Sequence, residues 1–178
     1  MNMEHVAYSE SKCWPENDIY FKAGVSFLKE KLNADGIQHT YSFLNLNGYT
    51  LKHFLSDFPP DKNDSIVIIS SPRLLPLAKF WMANHHNVCA VFDSSTNIET
   101  LVKMLKTLPS PKGNSNVAEY FPKITEKDIL ILRHYLSSGK MDYIQHRYSR
   151  SYKTVQQWKT NLAWKLSIRK LEYLTLRS

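Results

Sequence analysis

Cysteine and glycine are both scarce, 2 and 5 residues out of 178, and each shortage excludes chemistry. Cys13 and Cys89 lie far apart with no C-x-x-C spacing. That leaves no disulfide scaffold and no cysteine-based zinc site, and it fits a reducing compartment. So few glycines leave little room for a phosphate-cradling loop, and no G-x-S-x-G, P-loop, H-E-x-x-H or G-x-G-x-x-G motif occurs. No apolar run reaches the roughly 18 residues a membrane-spanning helix needs. The polar opening MNMEHVAYSESK lacks the basic-then-apolar pattern of a signal peptide. The expectation is a cytoplasmic protein with no membrane contact, no cofactor and no enzyme activity.

What is present is an ordinary globular composition, 43% apolar and 22% charged, with a net charge of +7. That charge is unevenly placed. Residues 1–110 carry 10 Lys+Arg against 11 Asp+Glu, whereas residues 111–178 carry 13 against 5, a net of +8. A basic segment beside a neutral one is the electrostatic footprint of a nucleic-acid-binding module, although a solvated basic face would look the same. Between them the stretch 108–122, within LPSPKGNSNVAEYFPK, is rich in proline, glycine, serine and asparagine without periodicity, and reads as a linker.

Before the linker, residues 1–107 alternate strand-like and helix-like runs. HVAYS reads as a weak strand, DIYFKAGVSFLKEKL as an amphipathic helix, HTYSFLNL as a strand and YTLKHFLSDF as a helix. SIVIIS and NVCAVFD read as buried strands, PRLLPLAKFWMANH as a helix opened by Pro72, and NIETLVKMLKTL as a helix. The near-continuous apolar strands predict a small parallel α/β domain. His85, His86 and Cys89 raise a metal reading, but adjacent histidines on extended chain point in opposite directions, and no metal site is expected.

From residue 123 to 178 the period becomes helical. ITEKDILILRHYLSS begins with Thr125 as N-cap and Asp128 three residues on, a capping-box-like start, with Ile129, Leu132 and Leu136 on one face. KMDYIQHRY is a short second helix, Ser151 caps a third over KTVQQWKTNLAWKL, and IRKLEYLTL makes a fourth. Four helices this short must pack as a compact bundle with one facing outward.

The run from Ile124 to Leu174 resembles the LuxR/FixJ-type helix-turn-helix domain. The family's "LT-x-R-E" falls on Ile124, Thr125, Lys127 and Asp128, its second-helix isoleucine on Ile144, and its "S-x-x-T-V … N-I-x-x-K-L" on Ser151, Thr154, Val155, Asn161, Leu162, Lys165 and Leu166. No gap is needed. Gln145 replaces the usual alanine, Ser149 and Arg150 the usual turn residues, and Trp158 the usual histidine, while Gly139 sits one position late. The resemblance implies an all-α four-helix unit whose third helix, about Lys153 to Lys165, lies in the major groove of double-stranded DNA. On it Gln156, Gln157 and Thr160 stand at base-reading positions, and glutamine can pair bidentately with adenine. Lys153, Thr154 and Lys159, with Lys165 at the helix end, stand at phosphates, while Val155, Leu162 and Leu166 face inward. Trp158 is expected to pack on the first helix. Trp164 is expected to fill the groove to the fourth helix or to anchor an interface. The fourth helix of this family is often the dimer contact, which makes Trp164, Ile168, Leu171, Tyr173 and Leu174 dimer candidates.

ENDIYFKAGVSFL resembles the acidic-pair segment of receiver domains, with Glu16 and Asn17 at the pair and Gly24 at the glycine. Asn47 stands where receivers carry the phosphorylated aspartate, and Asp93 where they need a lysine. Phosphoryl transfer needs a carboxylate nucleophile, carboxylate-held metal and a cation, so this receiver-like domain is degenerate and no phosphorylation is expected at Asn47. CWPENDIYFKAGVSFL, FLNLNGYTLKHFL and IVIISSPRLLPLAKFWMANHHNVCAVF are similar to the N-terminal region of enterobacterial regulators of the Mat (Ecp) fimbriae. That similarity implies a phosphorylation-independent activator of fimbrial, adhesion or virulence genes, working as a homodimer or as a heterodimer with another LuxR/FixJ-type regulator. The other classes are an auxiliary partner with little specific DNA binding alone, and an enzyme or ligand sensor built on the α/β half.

Overall fold

The computed structural model describes residues 12–34, 36, 41–57, 65–108, 123–138 and 141–174. The first half is a four-stranded parallel sheet in the order β1-β2-β3-β4, formed by β1 (Cys13–Trp14), β2 (Tyr41–Leu46), β3 (Ser65–Ser70) and β4 (Val88–Asp93). Strand β3 lies inside, paired with β2 from Tyr41↔Ser65 to Leu46↔Ser70 and with β4 from Ile66↔Val88 to Ser70↔Asp93. Burial on both faces is why its sequence is an unbroken apolar run rather than an alternation. Cys13–Trp14 is a strand that the sequence reading did not foresee, while HVAYS lies outside the described residues.

Successive strand residues point to opposite faces, and the helices divide accordingly. Phe43, Val67, Ala90 and Phe92 pack against Val25, Leu28 and Leu32 of α1 (Ile19–Ala34) and Leu101, Val102 and Leu105 of α4 (Ile98–Thr107). Leu44, Leu46, Ile66 and Ile68 pack against α2 (Leu51–Asp57) and α3 (Leu75–Asn84), where Phe54 meets Trp81 edge-on at 5.1 Å. The sheet order advances in one direction while α1 lies on one face and α2 and α3 on the other, so the first crossover has the opposite hand to the two that follow. The same arrangement results when the second strand and the helix after it are left out of the flavodoxin-like order 2-1-3-4-5. A short 3-10 turn at Pro72–Leu74 precedes α3, which has Pro76 in its own first turn, where a missing N–H costs nothing.

The second half holds α5 (Glu126–Ser138), α6 (Asp142–Arg147) and α7 (Tyr152–Lys165). The capping box at α5 forms: the Thr125 N–H donates to Asp128 Oδ2 at 2.8 Å, and the Asp128 N–H donates to Thr125 Oγ1 at 3.3 Å. Ser151 caps α7, accepting from the Thr154 N–H at 3.3 Å. Both α6 and α7 end with a serine in the left-handed region, Ser149 at φ 46° and Ser167 at φ 54°. In each case the next N–H reaches back five residues, Arg150 to the Gln145 carbonyl at 3.1 Å and Ile168 to the Ala163 carbonyl at 3.0 Å. These are Schellman closures with serine where glycine is usual. The expected fourth helix is a 3-10 turn, Leu171–Leu174, and residues 168–170 are not helical.

The two halves touch. α2 packs on α5, and Arg133 of α5 donates from Nε to the Leu55 carbonyl at 3.0 Å. Their apolar residues form one continuous cluster from Leu51, Phe54 and Leu55 to Ile131, Leu132 and Ile144.

Candidate nucleic-acid interface

Helix α7 is two-faced. Val155, Leu162, Ala163 and Leu166 are buried against α5 and α6, leaving Tyr152, Lys153, Gln157, Thr160, Asn161 and Trp164 exposed. At 3.6 residues per turn, Lys153, Gln157, Thr160 and Trp164 follow the i, i+4, i+7, i+11 spacing of one stripe, spanning an arc of about 60°. Gln157 donates from Nε2 to Asn161 Oδ1 at 2.9 Å, which fixes both amides on the surface. Gln156 is half-buried beside the stripe, and its carbonyl accepts from the Thr160 hydroxyl at 3.0 Å. Thr154 is engaged with Ser151 at the helix start, hydroxyl to hydroxyl at 3.0 Å.

The expected phosphate lysines separate. Lys153 is exposed on the stripe. Lys159 and Lys165 instead turn inward: Lys159 pairs with Glu172 and Lys165 with Asp128, each at 2.5 Å, and Lys159 also lies 5.2 Å from the Tyr135 ring. Lys159 shares the buried stripe of Val155, Leu162 and Leu166 and Lys165 borders it, so their ammonium groups find carboxylates of the neighbouring elements before they reach the outer surface. Hydrogen bonding to Lys159 holds the Glu172 carboxyl below its usual range.

The expected dimer residues also separate. Ile168, Leu171 and Leu174 are buried in the core, because the turn at Ser167 folds the chain back over α7. Tyr173 is exposed, and Trp164, at 70% exposure, fills no groove. Trp158 is half-buried and packs on α5 as expected: the Lys127 Nζ lies 3.3 Å from its ring centroid and Tyr148 meets it edge-on at 5.9 Å. Desolvation, reinforced by the nearby Arg150 charge, pushes the Lys127 ammonium below its usual range. The Lys127–Trp158 contact joins positions 31 residues apart, so no local spacing points to it. The alignment of Trp164 with Gln157, in contrast, was available from helical periodicity.

At the carboxyl ends of the strands, side chains are used for local closure. Asn47 Oδ1 accepts from the N–H groups of Tyr49 and Thr50 at 2.9 and 3.1 Å and so closes the turn that leads into α2. Asp18 accepts from the Phe21 N–H and, across the sheet edge, from Asn45 Nδ2 at 2.9 Å. Asp93 accepts from the N–H and hydroxyl of Ser95, both at 2.7 Å, and Glu16 and Asn17 are exposed. His85 stacks on Trp81 with ring centroids 6.5 Å apart. Among the described residues no group of three or more His, Cys, Asp or Glu is placed to hold a metal ion, and no helix is long and apolar enough to cross a membrane.

A parallel α/β unit packed on a basic helical unit is thus the frame of the molecule. Residues 2–108 match the family described as the EcpR N-terminal domain, and the chain belongs to that family. Over 166 residues it is also 37% identical to the Vi polysaccharide biosynthesis protein TviA of Salmonella typhi, an alignment covering 92% of this chain and 93% of that protein. Similarity therefore extends beyond the α/β unit into the helical half. No solved structure matches the chain.

Proposed function

We propose that the chain is a sequence-specific DNA-binding transcriptional regulator of LuxR/FixJ type, acting in the cytoplasm without catalysis and without phosphorylation. The observation that carries this reading is the outward stripe of α7. Lys153, Gln157 and Thr160 face away from the core of a segment with a net charge of +8 over residues 111–178. Gln157 and Thr160, with Gln156 at the edge of the stripe, read base edges in the major groove. Lys153 holds a phosphate and Thr154 lies beside it at the helix start. Independence from phosphorylation is supported by Asn47, an amide committed to the turn before α2 where a phosphate acceptor would stand. Kinship with the EcpR N-terminal domain family and with a protein named for Vi polysaccharide biosynthesis favours genes for fimbriae or for a polysaccharide, with activation the expected direction.

The test is selection of bound fragments from a random or genomic DNA pool by the purified chain near physiological salt, alone and with LuxR/FixJ-type partners. A two-fold-related motif enriched by the chain alone supports a homodimer on paired half-sites. Enrichment only with a partner supports the auxiliary role in a heterodimer. No enrichment under either condition refutes the DNA-binding reading.

A further inference from the structure

We propose that Trp164 is a base-contacting residue, reading the C5-methyl group of a thymine at the edge of the site that Gln157 reads; the inference rests on the DNA-binding reading above. Trp164 is 70% exposed although it is among the largest apolar side chains in the chain, and it lies within the stripe of Lys153, Gln157 and Thr160 rather than beside it. It follows Gln157 by seven residues, about 10 Å along the helix axis at 1.5 Å per residue. For a helix inclined in the groove, that distance spans at most about three base-pair steps of 3.4 Å.

A subunit interface is the competing use of an exposed tryptophan, and the surroundings argue against it. Such an interface has an apolar centre of several side chains. Here the other residues of the stripe are Lys153, Gln157 and Thr160, with Asn161 at its border; Arg169 and Lys170 are exposed just beyond the helix end, and Tyr173 is the one exposed aromatic side chain of the turn that follows. Ile168, Leu171 and Leu174, which would have extended the apolar patch, are buried in the protein's own core. A single indole among amides and cations matches the major-groove edge of an A·T pair, where one methyl group stands among hydrogen-bonding atoms and phosphates lie at both sides.

The experiment uses the full chain and the DNA it selects, replacing each thymine of one half-site in turn by deoxyuridine, which lacks the methyl group. One replacement, within about three base pairs of the pair read by Gln157, is expected to weaken wild-type binding roughly three- to fivefold, the worth of one methyl removed from water. Trp164→Ala is expected to bind the thymine and deoxyuridine sites equally, while Gln157→Ala keeps the difference. Equal thymine sensitivity in Trp164→Ala and the wild type overturns the proposal. So does a Trp164→Ala chain that changes from dimer to monomer in sedimentation while its base preferences stay intact, which assigns the indole to a protein contact. A wild-type chain that enriches no motif removes the DNA-binding reading and this inference together, a result visible before any Trp164 comparison.

Discussion

Replacing Lys159 separates two roles that the sequence alone leaves merged. A phosphate-binding lysine contributes to affinity for all DNA sequences and little to folding, whereas a lysine clamped to its own protein does the reverse. Lys159 is 20% exposed and its partner Glu172 45%, with the ammonium 2.5 Å from the carboxylate. The pair therefore lies between an exposed ion pair, worth up to about 1 kcal/mol, and a well-enclosed charged hydrogen bond, worth about 1.5 to 3 kcal/mol. Lys159→Ala, which also strips the stem from beside Tyr135, is expected to destabilise the chain by about 1.5 kcal/mol on these scales. Lys159→Met, which keeps the stem, should cost about 1 kcal/mol. A double-mutant cycle with Glu172→Gln should return a coupling of about 1 kcal/mol. Urea unfolding measures each value. In parallel, the salt dependence of DNA binding should keep its slope, because a lost phosphate contact would reduce it by about 0.9. A urea midpoint that stays in place while the slope falls by that amount would refute the clamp and return Lys159 to the phosphates.

Gln157→Ala is expected to relax base preference at one operator position, at a cost of about 1 to 3 kcal/mol if the contact is bidentate, with the salt slope unchanged; repeating the fragment selection with the variant checks it. Ser149→Gly should stabilise the chain by about 1 kcal/mol, because φ 46° is strained for serine and free for glycine, as denaturant unfolding will report. Arg133→Ala should cost about 1 kcal/mol by leaving the Leu55 carbonyl without its charged donor, and unfolding followed by tryptophan fluorescence and by circular dichroism should still give coincident transitions. Burial beside Arg147 and Arg133 holds the His134 imidazole below its usual 6.5, so the unfolded chain takes up that proton first. Stability is then full above pH 6.5 and falls as the pH drops from there toward the folded value, and His134→Gln should flatten that part of a melting-temperature profile.

Much of the architecture was legible because period and capping are local signals. Ile66 to Ile69 declared a doubly covered strand, and Thr125 with Asp128 declared a helix start. What was not legible depended on residues far apart. Two residues, Cys13 and Trp14, have no periodicity, and only their pairing with Phe43 and Leu44 makes them a strand. The spacing of Ile168, Leu171 and Leu174 is three, which fits a 3-10 turn as well as a helix, and after the left-handed Ser167 the chain takes the 3-10 turn at Leu171–Leu174. Lys159 and Lys165 looked free because Glu172 and Asp128 lie 13 and 37 residues away. Helical spacing made it readable that Lys159 lies on the buried stripe and Lys165 at its border, but the carboxylates waiting there were not readable.

These long-range pairs also explain why α7 can present a fixed surface although only one face of it is packed. Four contacts hold it from both sides: Lys165 to Asp128 and Trp158 to Lys127 tie it to the first turn of α5, and Lys159 ties it to both Tyr135 and Glu172. α5 is in turn held on α2 by apolar packing and by Arg133, and α2 follows the turn that Asn47 closes at the end of β2. Asp128 serves two of these links at once, since the same Oδ2 that closes the capping box accepts the Lys165 ammonium. A carboxylate at that point is worth more than a cap alone, because the start of α5 and the end of α7 are set by one atom. The orientation of the outward stripe therefore follows from the packing of the α/β unit as much as from α7 itself.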